Sequence, residues 1–309
     1  MKVLITGAAG FGGSGLTKRL LKKGYEVTAL DIVAPLHSGL DIDNPKLNYL
    51  WKAVHDIQPE DIEGHDIVVH FCAQADVPMG FPSPVWTAWE NAMGTVALLE
   101  AARKVKIEKL IYAGSGNEWG RPLYLPIDED HPLMPHNPYS WSKCAQELAC
   151  WAWYRSYKVP IVVMSNGYIC GPGMRREIFV FKWIYNILRN KPIILEGGDQ
   201  TRDTTYVDDV LDAWELAIQA PKEKVVGEKF QVSYGQELKV RDIAELCMKA
   251  CGKRVPIIEK PYRPGEFGQR ELFSNEKARR VLGYNPKVPP EEAIRLTAEW
   301  IKREVLGIT

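Results

Sequence analysis

The stretch Lys2-Val-Leu-Ile-Thr-Gly7-Ala-Ala-Gly10-Phe-Gly-Gly13 decides the fold of this chain of 309 residues. Residues 3–5 predict a short buried strand, and apolar residues among basic ones over 16–23 predict an amphipathic helix. The glycines between them follow G-x-x-G-x-x-G, which differs from the G-x-G-x-x-G of the usual dinucleotide-binding fingerprint. They allow a tight turn and leave N–H groups at a helix N-terminus where a pyrophosphate can bind.

An acidic residue ends the next predicted strand, Glu26-Val-Thr-Ala-Leu-Asp31. A carboxylate at this place accepts hydrogen bonds from the 2′- and 3′-hydroxyl groups of a ribose and repels a 2′-phosphate. No Arg or Lys lies between Ile32 and Pro35, so the sequence favours NAD over NADP as the cofactor. The alternative is that Asp31 only caps a turn.

The bulk composition is that of an ordinary globular protein. Thirty-nine Lys and Arg balance 39 Asp and Glu, so nothing indicates binding to nucleic acid or to an anionic membrane. No apolar run reaches the roughly 18 residues that span a bilayer. The chain begins in a core strand, so we expect no signal peptide and a cytoplasmic location. The six cysteines show no C-x-x-C pair and no His at zinc-ligand spacing, so we expect reduced thiols and no metal site.

Strand and helix signals alternate through the first two thirds of the chain. We predict strands over 3–5, 26–31, 47–54, 66–73, 109–113 and 159–164, with long helices over 83–105 and 139–157. Beyond residue 166 the rhythm breaks into a strand over 192–195 and helices over 175–189, 207–220, 237–251, 275–282 and 290–305. The prediction is an α/β fold with a doubly wound parallel sheet of the Rossmann type in residues 1–165. A smaller mixed portion in 166–309 mainly binds substrate, with some segments returning to the first domain.

Three side chains are candidates for chemistry. Tyr139 and Lys143 are four residues apart on a predicted helix and share one face, where an ammonium stabilises a phenolate that acts as a general base. Ser115 follows the fifth predicted strand at the carboxyl edge of the sheet, where its hydroxyl could bond the same substrate oxygen. The alternatives are an ordinary helix surface and a serine in a turn.

With these residues, the chain resembles the extended short-chain dehydrogenase/reductases in their nucleotide-sugar branch. The resemblance covers almost the whole sequence and rests on motifs that occur in order at the family's spacing. They are 6–13, Asp31, 55–57, 69–75, 91–95, Ser115 with 119–120, Tyr139 with Lys143, 171–173, 200–203, 207–209 and 263–266.

The resemblance implies tightly held NAD⁺ that takes a hydride from the sugar, usually at C4. Tyr139 would remove the hydroxyl proton, Lys143 would hold the nicotinamide ribose and lower the pKa of Tyr139, and Ser115 would orient the oxygen. The cofactor residues implied with Tyr139 and Lys143 are Gly7, Gly10, Phe11, Gly13, Asp31, Asp56, Ile57, Phe71, Cys72 and Ala73, with Asp56 on the adenine. The implied substrate residues are Asn117, Asn166, Arg175, Arg202, Arg263 and Arg270, of which Arg202 and Arg263 match the diphosphate-binding arginines.

The sequence departs from the family pattern in three places. Family 4,6-dehydratases follow the catalytic Ser or Thr with Asp-Glu, whereas this chain has Gly116-Asn117 and carries its acid one step later, at Glu118. With strand-like alternation Glu118 would point elsewhere, which disfavours dehydration. Tyr168 and Cys170 replace a phosphate-contacting Asn and a Tyr of many relatives. Three arginines, at 175, 176 and 270, could read a carboxylate on C6 of a uronic acid, or make structural or diphosphate contacts instead.

The leading hypothesis is an NAD-dependent nucleotide-sugar 4-epimerase that acts on a UDP-hexose or UDP-uronic acid. It would oxidise C4 transiently, let the 4-keto sugar rotate and return the hydride to the opposite face. The alternatives are a 4,6-dehydratase or uronate decarboxylase, a reductase that consumes external cofactor, and a non-catalytic NAD-binding regulatory protein on the same fold. The family also implies a homodimer formed through helices 83–105 and 139–157. Leu148, Trp151 and Tyr154 lie near one stripe of the second helix, which fits a buried seam between subunits but could equally face the protein's own sheet.

Overall fold

The computed structural model describes residues 1–308, which form two compact units. The first unit comprises residues 1–118, 137–165 and 213–230. The second comprises 119–136, 166–212 and 231–309, of which the described part ends at residue 308. Within the described residues, no helix is both long enough and apolar enough to cross a membrane.

The central element is a seven-stranded sheet. Its strands are β1 (Lys2–Thr6), β2 (Glu26–Asp31), β3 (Leu47–Trp51), β4 (Ile67–His70), β5 (Lys109–Ser115), β6 (Ile161–Asn166) and β10 (Lys229–Val232). Their spatial order is β3-β2-β1-β4-β5-β6-β10, and the ladders from β3 to β5 are parallel. Strands β1, β4 and β5 are almost wholly buried, as expected of parallel strands covered on both faces. The arrangement is a Rossmann-type sheet with its carboxyl ends at one edge, where such folds bind ligands.

In residues 1–308, seven helices accompany this sheet. They are α1 (Phe11–Lys22), α2 (Pro59–Ile62), α3 (Pro84–Ala88), α4 (Gly94–Ala102), α5 (Pro138–Tyr157), α7 (Val207–Gln219) and α8 (Lys222–Val225). A π-helical turn, Trp89–Met93, joins α3 to α4, so the predicted helix over 83–105 is one helical run with a bulge. A hydrophobic core under the sheet includes Leu4, Leu30, Val68, Leu110 and Val163, all fully buried.

The second unit contains two small sheets. The strands are β7 (Tyr168–Cys170), β8 (Ile193–Glu196), β9 (Thr201–Tyr206), β11 (Glu237–Lys239) and β12 (Ile257–Lys260). Strand β9 pairs in parallel with β7 and antiparallel with β11, while β8 pairs in parallel with β12. The helices are α6 (Phe179–Leu188), α9 (Val240–Cys251), α10 (Glu276–Leu282) and α11 (Pro290–Trp300), and α9 packs against α6 and α11. This is the smaller mixed portion that the sequence predicts.

The structure corrects several predicted boundaries. The third strand stops at Trp51, and residues 54–56 form a 3₁₀ turn. The helix predicted over 175–189 begins only at Phe179, and the one predicted over 237–251 begins with strand β11. Strands β7, β9, β10 and β12 were not predicted. Strands β9 and β10 are rich in polar residues that find partners inside the protein, so they lack the apolar signal on which the prediction depends.

Candidate active site

The glycine-rich loop after β1 is shaped so that only glycine fits at two of its positions. Gly7 has φ +70°, and a Cβ there would lie 2.8 Å from the backbone nitrogen of Cys72. A Cβ on Gly13 would lie 2.1 Å from the carbonyl oxygen of Gly7. The first turn of α1 carries no acidic residue and no capping side chain. The loop therefore brings bare backbone to a helix N-terminus that favours an anion.

Asp31 lies at the end of β2, beside this loop. One carboxylate oxygen, Oδ2, accepts the backbone N–H of Ala9 at 2.8 Å, and Oδ1 accepts that of Val33 at 3.0 Å. The side chain is almost fully buried. These bonds fix the carboxylate next to the loop, and its remaining lone pairs suit the hydroxyl groups of a ribose.

The other implied cofactor residues lie in two nearby segments of the first unit. Asp56 is exposed and ends the 3₁₀ turn before buried Ile57, while Phe71, Cys72 and Ala73 follow β4 half-buried. The ring of Phe71 packs on Trp214 with centroids 4.3 Å apart, and it would lie 3.1 Å from a Cβ on Gly12. Burial raises the pKa of Cys72 to about 12, so the thiol stays protonated.

Ser115 is the last residue of β5, and a 3₁₀ turn over Gly116–Glu118 follows it. The backbone N–H of Asn117 donates to Ser115 Oγ at 3.2 Å. The backbone N–H of Ser115 itself donates to Oε1 of Glu118 at 2.9 Å. The stretch is thus a tight turn and not the extended strand that the sequence suggested, and Glu118 points back into the protein because its carboxyl closes that turn.

The helix that carries Tyr139 and Lys143 is fixed at its first turn. Pro138 stands at the first helical position, and Asn137 and Ser140 cap each other's backbone N–H groups at 2.8 and 3.0 Å. Tyr139 is 7% exposed, and a Cβ on Gly80 would lie only 3.2 Å from its backbone nitrogen. The tyrosine that the sequence singled out is therefore held on a rigid helix terminus.

Lys143 is buried one turn later on the same helix. Its ammonium donates to the carbonyl oxygen of Ala113 at 2.8 Å and lies 4.6 Å from the centroid of the Tyr112 ring. Burial lowers the pKa of Lys143 to about 8, against the opposing charge of Glu118. Ser115, Tyr139 and Lys143 all belong to the first unit.

A buried cluster of charged groups lies behind these residues, and sequence reasoning missed it. We call it the Glu118 cluster; its members are Glu118, Glu147 and Lys229. The ammonium of Lys229 donates to both oxygens of Glu147 at 2.9 and 2.8 Å and lies 3.9 Å from Oε2 of Glu118. Glu147 and Lys229 are 82 positions apart, so no local sequence signal could have joined them.

The two arginines matched to diphosphate binding lie together in the second unit. Arg202 is buried, 3.3 Å from Glu266 and 3.5 Å from Glu271, and Arg263 binds Glu266 at 2.6 and 3.1 Å. We call these four residues the Arg202 cluster. Burial raises the pKa of Glu271 to about 7, against the opposing charge of Arg202. Guanidinium groups suit a diphosphate, although both already have carboxylate partners.

The remaining implied substrate residues lie on other segments of the chain. Asn166 ends β6 and is buried, whereas Arg175 is half-buried in the loop before α6. Arg270 is exposed and makes a bidentate pair with Glu237 at 2.8 and 2.6 Å. Arg270 therefore already has the planar carboxylate partner that a uronic acid would offer it.

Among the residues that the structure describes, the carboxyl and thiol groups do not assemble as metal ligands do. Within residues 1–308, no group of three or more His, Cys, Asp or Glu side chains could hold a metal ion. All six cysteines are free thiols, and four of them are buried.

Comparison with known proteins finds nucleotide-sugar epimerases and dehydratases. The model for the "NAD dependent epimerase/dehydratase family" matches residues 3–233. The UDP-glucose 4-epimerase of Mycolicibacterium smegmatis is 32% identical over 321 residues, which cover 98% of this chain and 99% of that protein. The dTDP-glucose 4,6-dehydratase of Streptomyces niveus is 28% identical over 320 residues, which cover 98% and 93%.

Among solved structures, the UDP-glucuronic acid 4-epimerase from Bacillus cereus, in complex with UDP-glucuronic acid and NAD, matches with a TM-score of 0.91. It is 27% identical to this chain, and the match covers 98% of this chain and 99% of that one. Relatives of two reaction types therefore align over nearly the whole length, so the choice between them falls to the residues of the site.

Proposed function

Since the chain belongs to the NAD-dependent epimerase/dehydratase family of extended short-chain dehydrogenase/reductases, we propose that it is a nucleotide-sugar 4-epimerase. The proposed substrate is a UDP-hexose or a UDP-uronic acid. The reaction inverts C4 through a transient 4-keto sugar, and the protein regains its starting state after each turnover.

One observation favours epimerisation over dehydration. A 4,6-elimination needs an acid that reaches the sugar, and the turn after Ser115 offers only Glu118. That side chain is fully buried, with Oε1 bonded to the backbone N–H of Ser115 and Oε2 facing Lys229. Asn117, at the position of the dehydratase glutamate, has an amide that cannot act as an acid or a base at neutral pH. The chain therefore keeps the groups for oxidation at C4 and lacks a placed acid for loss of water.

The residues at the start of the chain fit NAD. The glycine loop is packed so closely on itself and on the segment after β4 that a Cβ at Gly7 or Gly13 would clash with backbone atoms, so the loop leaves its backbone bare at the N-terminus of α1. The first turn of α1 is free of acidic residues, and Asp31 offers acceptors to ribose hydroxyls. Asp31 would also repel a 2′-phosphate. When bound, NAD supplies the acceptor and donor of the hydride that leaves and returns to C4.

The chain's own residues handle the proton. In the proposed mechanism Tyr139, as phenolate, takes the proton of the C4 hydroxyl and later returns it. The ammonium of Lys143 stabilises that phenolate, and the Ala113 carbonyl and the Tyr112 ring hold the ammonium in place. Ser115 Oγ, fixed by the backbone N–H of Asn117, orients the reacting oxygen. Arg202 and Arg263 bind the diphosphate.

The test is product analysis by NMR and mass spectrometry after incubation with UDP-glucose, UDP-N-acetylglucosamine and UDP-glucuronate. A product of unchanged mass with C4 inverted is the expected result. Loss of water or of CO₂ would transfer the assignment to the dehydratase or the decarboxylase.

The matched variant for this test is Tyr139→Phe, which removes one oxygen from the proposed base. We expect kcat to fall by about 10³-fold, within the range for loss of a general base, with an unchanged circular dichroism spectrum. Activity within a few fold of the wild type would mean that Tyr139 is not the base.

We further propose a cytoplasmic homodimer. Val85, Trp86, Trp89 and Met93 on the run from α3 to α4, and Trp141 and Leu148 on α5, are exposed apolar side chains on neighbouring helices. A second copy would remove this apolar surface from water. Trp151 and Tyr154 do not share this face with Leu148, because they pack against the core. A monomeric mass by light scattering at micromolar concentration would contradict the dimer.

The proposed cytoplasmic location has a separate support, because the free thiols fit a reducing compartment.

A further inference from the structure

The Glu118 cluster has no part in the proposed mechanism, yet it touches the turn that carries Ser115. Glu118 is fully buried, and its Oε1 accepts the backbone N–H of Ser115 at 2.9 Å. Its backbone carbonyl accepts a bond from the thiol of Cys144, which follows Lys143 on α5. Glu118 thus contacts both segments that carry proposed catalytic residues.

Few of the groups around this cluster carry charge. The titratable groups that face Glu118 and Lys143 come from β4 and its end, β5, α5 and β10; besides Tyr139, they are His70, Cys72, Tyr112, Cys144, Glu147, Cys150 and Lys229. Burial lowers the pKa of His70 to about 3 and raises the pKa values of the three thiols and of Tyr112. These five are therefore uncharged at neutral pH, which leaves two lysines and two glutamates.

The two glutamates are held differently. Lys229 bonds both oxygens of Glu147, and the indole N–H of Trp151 adds a third bond to the same carboxylate at 3.1 Å. Glu118 accepts the Ser115 N–H on one oxygen, while its buried Oε2 has no donor within hydrogen-bond distance, lies 3.9 Å from Lys229 and is close to the carboxyl group of Glu147. Burial and the neighbouring Glu147 raise the pKa of Glu118 to about 8. Glu118 can therefore release a proton slightly above neutral pH.

We propose that Glu118 is a positioning residue that acts on the reaction through Lys143, by forming a buried carboxylate that keeps the Lys143 ammonium charged as the pH rises. The inference rests on the proposed function, because the ammonium matters there only as the group that stabilises the Tyr139 phenolate. Glu118 touches neither sugar nor cofactor in this scheme. It holds the Ser115 turn with Oε1 and supplies a negative charge to Lys143.

The sign of the effect follows from charge balance. When the pH rises through the range where Glu118 and Lys143 titrate together, the first proton lost from Glu118 leaves a carboxylate that stabilises the ammonium. Lys143 then stays charged to a higher pH than its burial alone would allow. Without a carboxylate at position 118, there is less negative charge to offset the effect of burial on the pKa of Lys143. The ammonium therefore loses its proton at lower pH.

The main test is the pH profile of kcat/KM for E118Q, which keeps the shape and the acceptor for the Ser115 N–H but cannot ionise. We expect its alkaline limb to move toward acid by about one pH unit, so that activity falls about tenfold relative to wild type on that limb. Values on the acid side should agree within a few fold. E118D, which keeps a carboxyl group, should restore at least part of the alkaline limb.

Glu129→Gln is the control. Glu129 is also partly buried with a raised pKa, and its Oε1 accepts the backbone N–H of Gln231 at 2.9 Å, but it belongs to the second unit. We expect no shift of either limb for E129Q. A uniform loss of activity in E118Q, with both limbs unmoved, would show a purely structural role and overturn the proposal.

A second measurement does not depend on turnover. In protein labelled with [δ-¹³C]glutamate and free of sugar, the carboxyl resonance that disappears in both E118Q and E118D should titrate near pH 8, far above an exposed glutamate. Titration below pH 6 would overturn the proposal even if E118Q folds poorly. If the wild type shows no 4-epimerase activity but this resonance titrates as expected, the proposed function is wrong. The titration of the buried Glu118 carboxyl group is then still supported.

Discussion

The Glu118 cluster and the Arg202 cluster hold their cations in different surroundings. In the Glu118 cluster every side chain is enclosed: Lys229, Glu147 and Glu118 are 7%, 4% and 0% exposed. In the Arg202 cluster, Arg202, Glu266 and Glu271 are equally buried, but the side chain of Arg263 is 27% exposed. The first cluster is closed to ligands, whereas the second presents a guanidinium to solvent.

This difference separates what each cluster can do. A closed cluster acts on its neighbours only through charge and hydrogen bonds, so the Glu118 cluster should change kcat and its pH dependence. A cluster with an accessible guanidinium can bind an anion directly, so the Arg202 cluster should change KM. Substitutions of the buried cations, Lys229 in the first cluster and Arg202 in the second, test whether the two clusters differ in this way.

The largest effect on stability should come from Lys229→Met, which leaves Glu147 and Glu118 buried without their ammonium. We expect the free energy of unfolding in urea to fall by about 3–5 kcal/mol, as for other buried ion pairs that lose one partner. The matched control is Lys239→Met, because Lys239 pairs with Asp199 on the surface and both are more than half exposed. A loss below about 1 kcal/mol for K229M would mean that the two carboxyl groups share a proton and do not need the ammonium.

A smaller loss, about 2–3 kcal/mol, is expected for Arg202→Met. Glu266 keeps its bonds to Arg263, and Glu271 can take up a proton at little cost because burial has already raised its pKa to about 7. A raised pKa in the folded state means that stability is kept when the group is protonated and is lost as the pH rises through that pKa. The deficit of R202M should therefore be smaller at about pH 6 than at about pH 8.

The same variant tests the division between the clusters. If the Arg202 cluster binds the diphosphate through its accessible Arg263, loss of Arg202 leaves the two carboxyl groups of the cluster with one guanidinium, so KM for the nucleotide sugar should rise more than about tenfold while kcat changes only a few fold. Steady-state kinetics of R202M beside E118Q measures this split. A fall in kcat with unchanged KM would contradict a role of the Arg202 cluster in substrate binding.

The sequence predicted the parts of the fold whose signals are local. Residues 3–5, 66–73 and 109–113 are nearly unbroken apolar runs, and buried parallel strands lie within them, although the strand predicted over 66–73 covers only Ile67–His70. Glycine spacing identified the turn at Gly7 because only that residue type tolerates the backbone there. The order of the strands around β1 follows the usual pattern of such sheets, so the position of Ser115 at the carboxyl edge could also be predicted.

The sequence did not predict features that depend on distant partners. Strand β9, Thr-Arg-Asp-Thr-Thr-Tyr, looks like a loop, yet it is buried, and its polar side chains other than the Thr204 hydroxyl find partners. Asp203 accepts backbone N–H groups of Gly235, Gln236 and Phe273, and Thr201 donates to Glu237. The Glu118 cluster is similar: its acid was noticed in the sequence, but the lysine and the second acid that explain it come from β10 and α5. Polar burial of this kind is decided by tertiary structure and not by periodicity.

The smallest effect should come from Arg270→Ala, because Arg270 is more exposed than any residue of the two clusters. Arg270 is 53% exposed and its guanidinium is already bonded to both oxygens of Glu237, so we expect unfolding to change by under about 1 kcal/mol. A sugar carboxylate would have to displace Glu237 to reach it. KM should therefore change less than about twofold for both UDP-glucose and UDP-glucuronate. A large rise in KM for UDP-glucuronate alone would show that Arg270 exchanges Glu237 for the sugar carboxylate. Substrate binding would then involve a surface arginine as well as the accessible guanidinium that we propose for the Arg202 cluster.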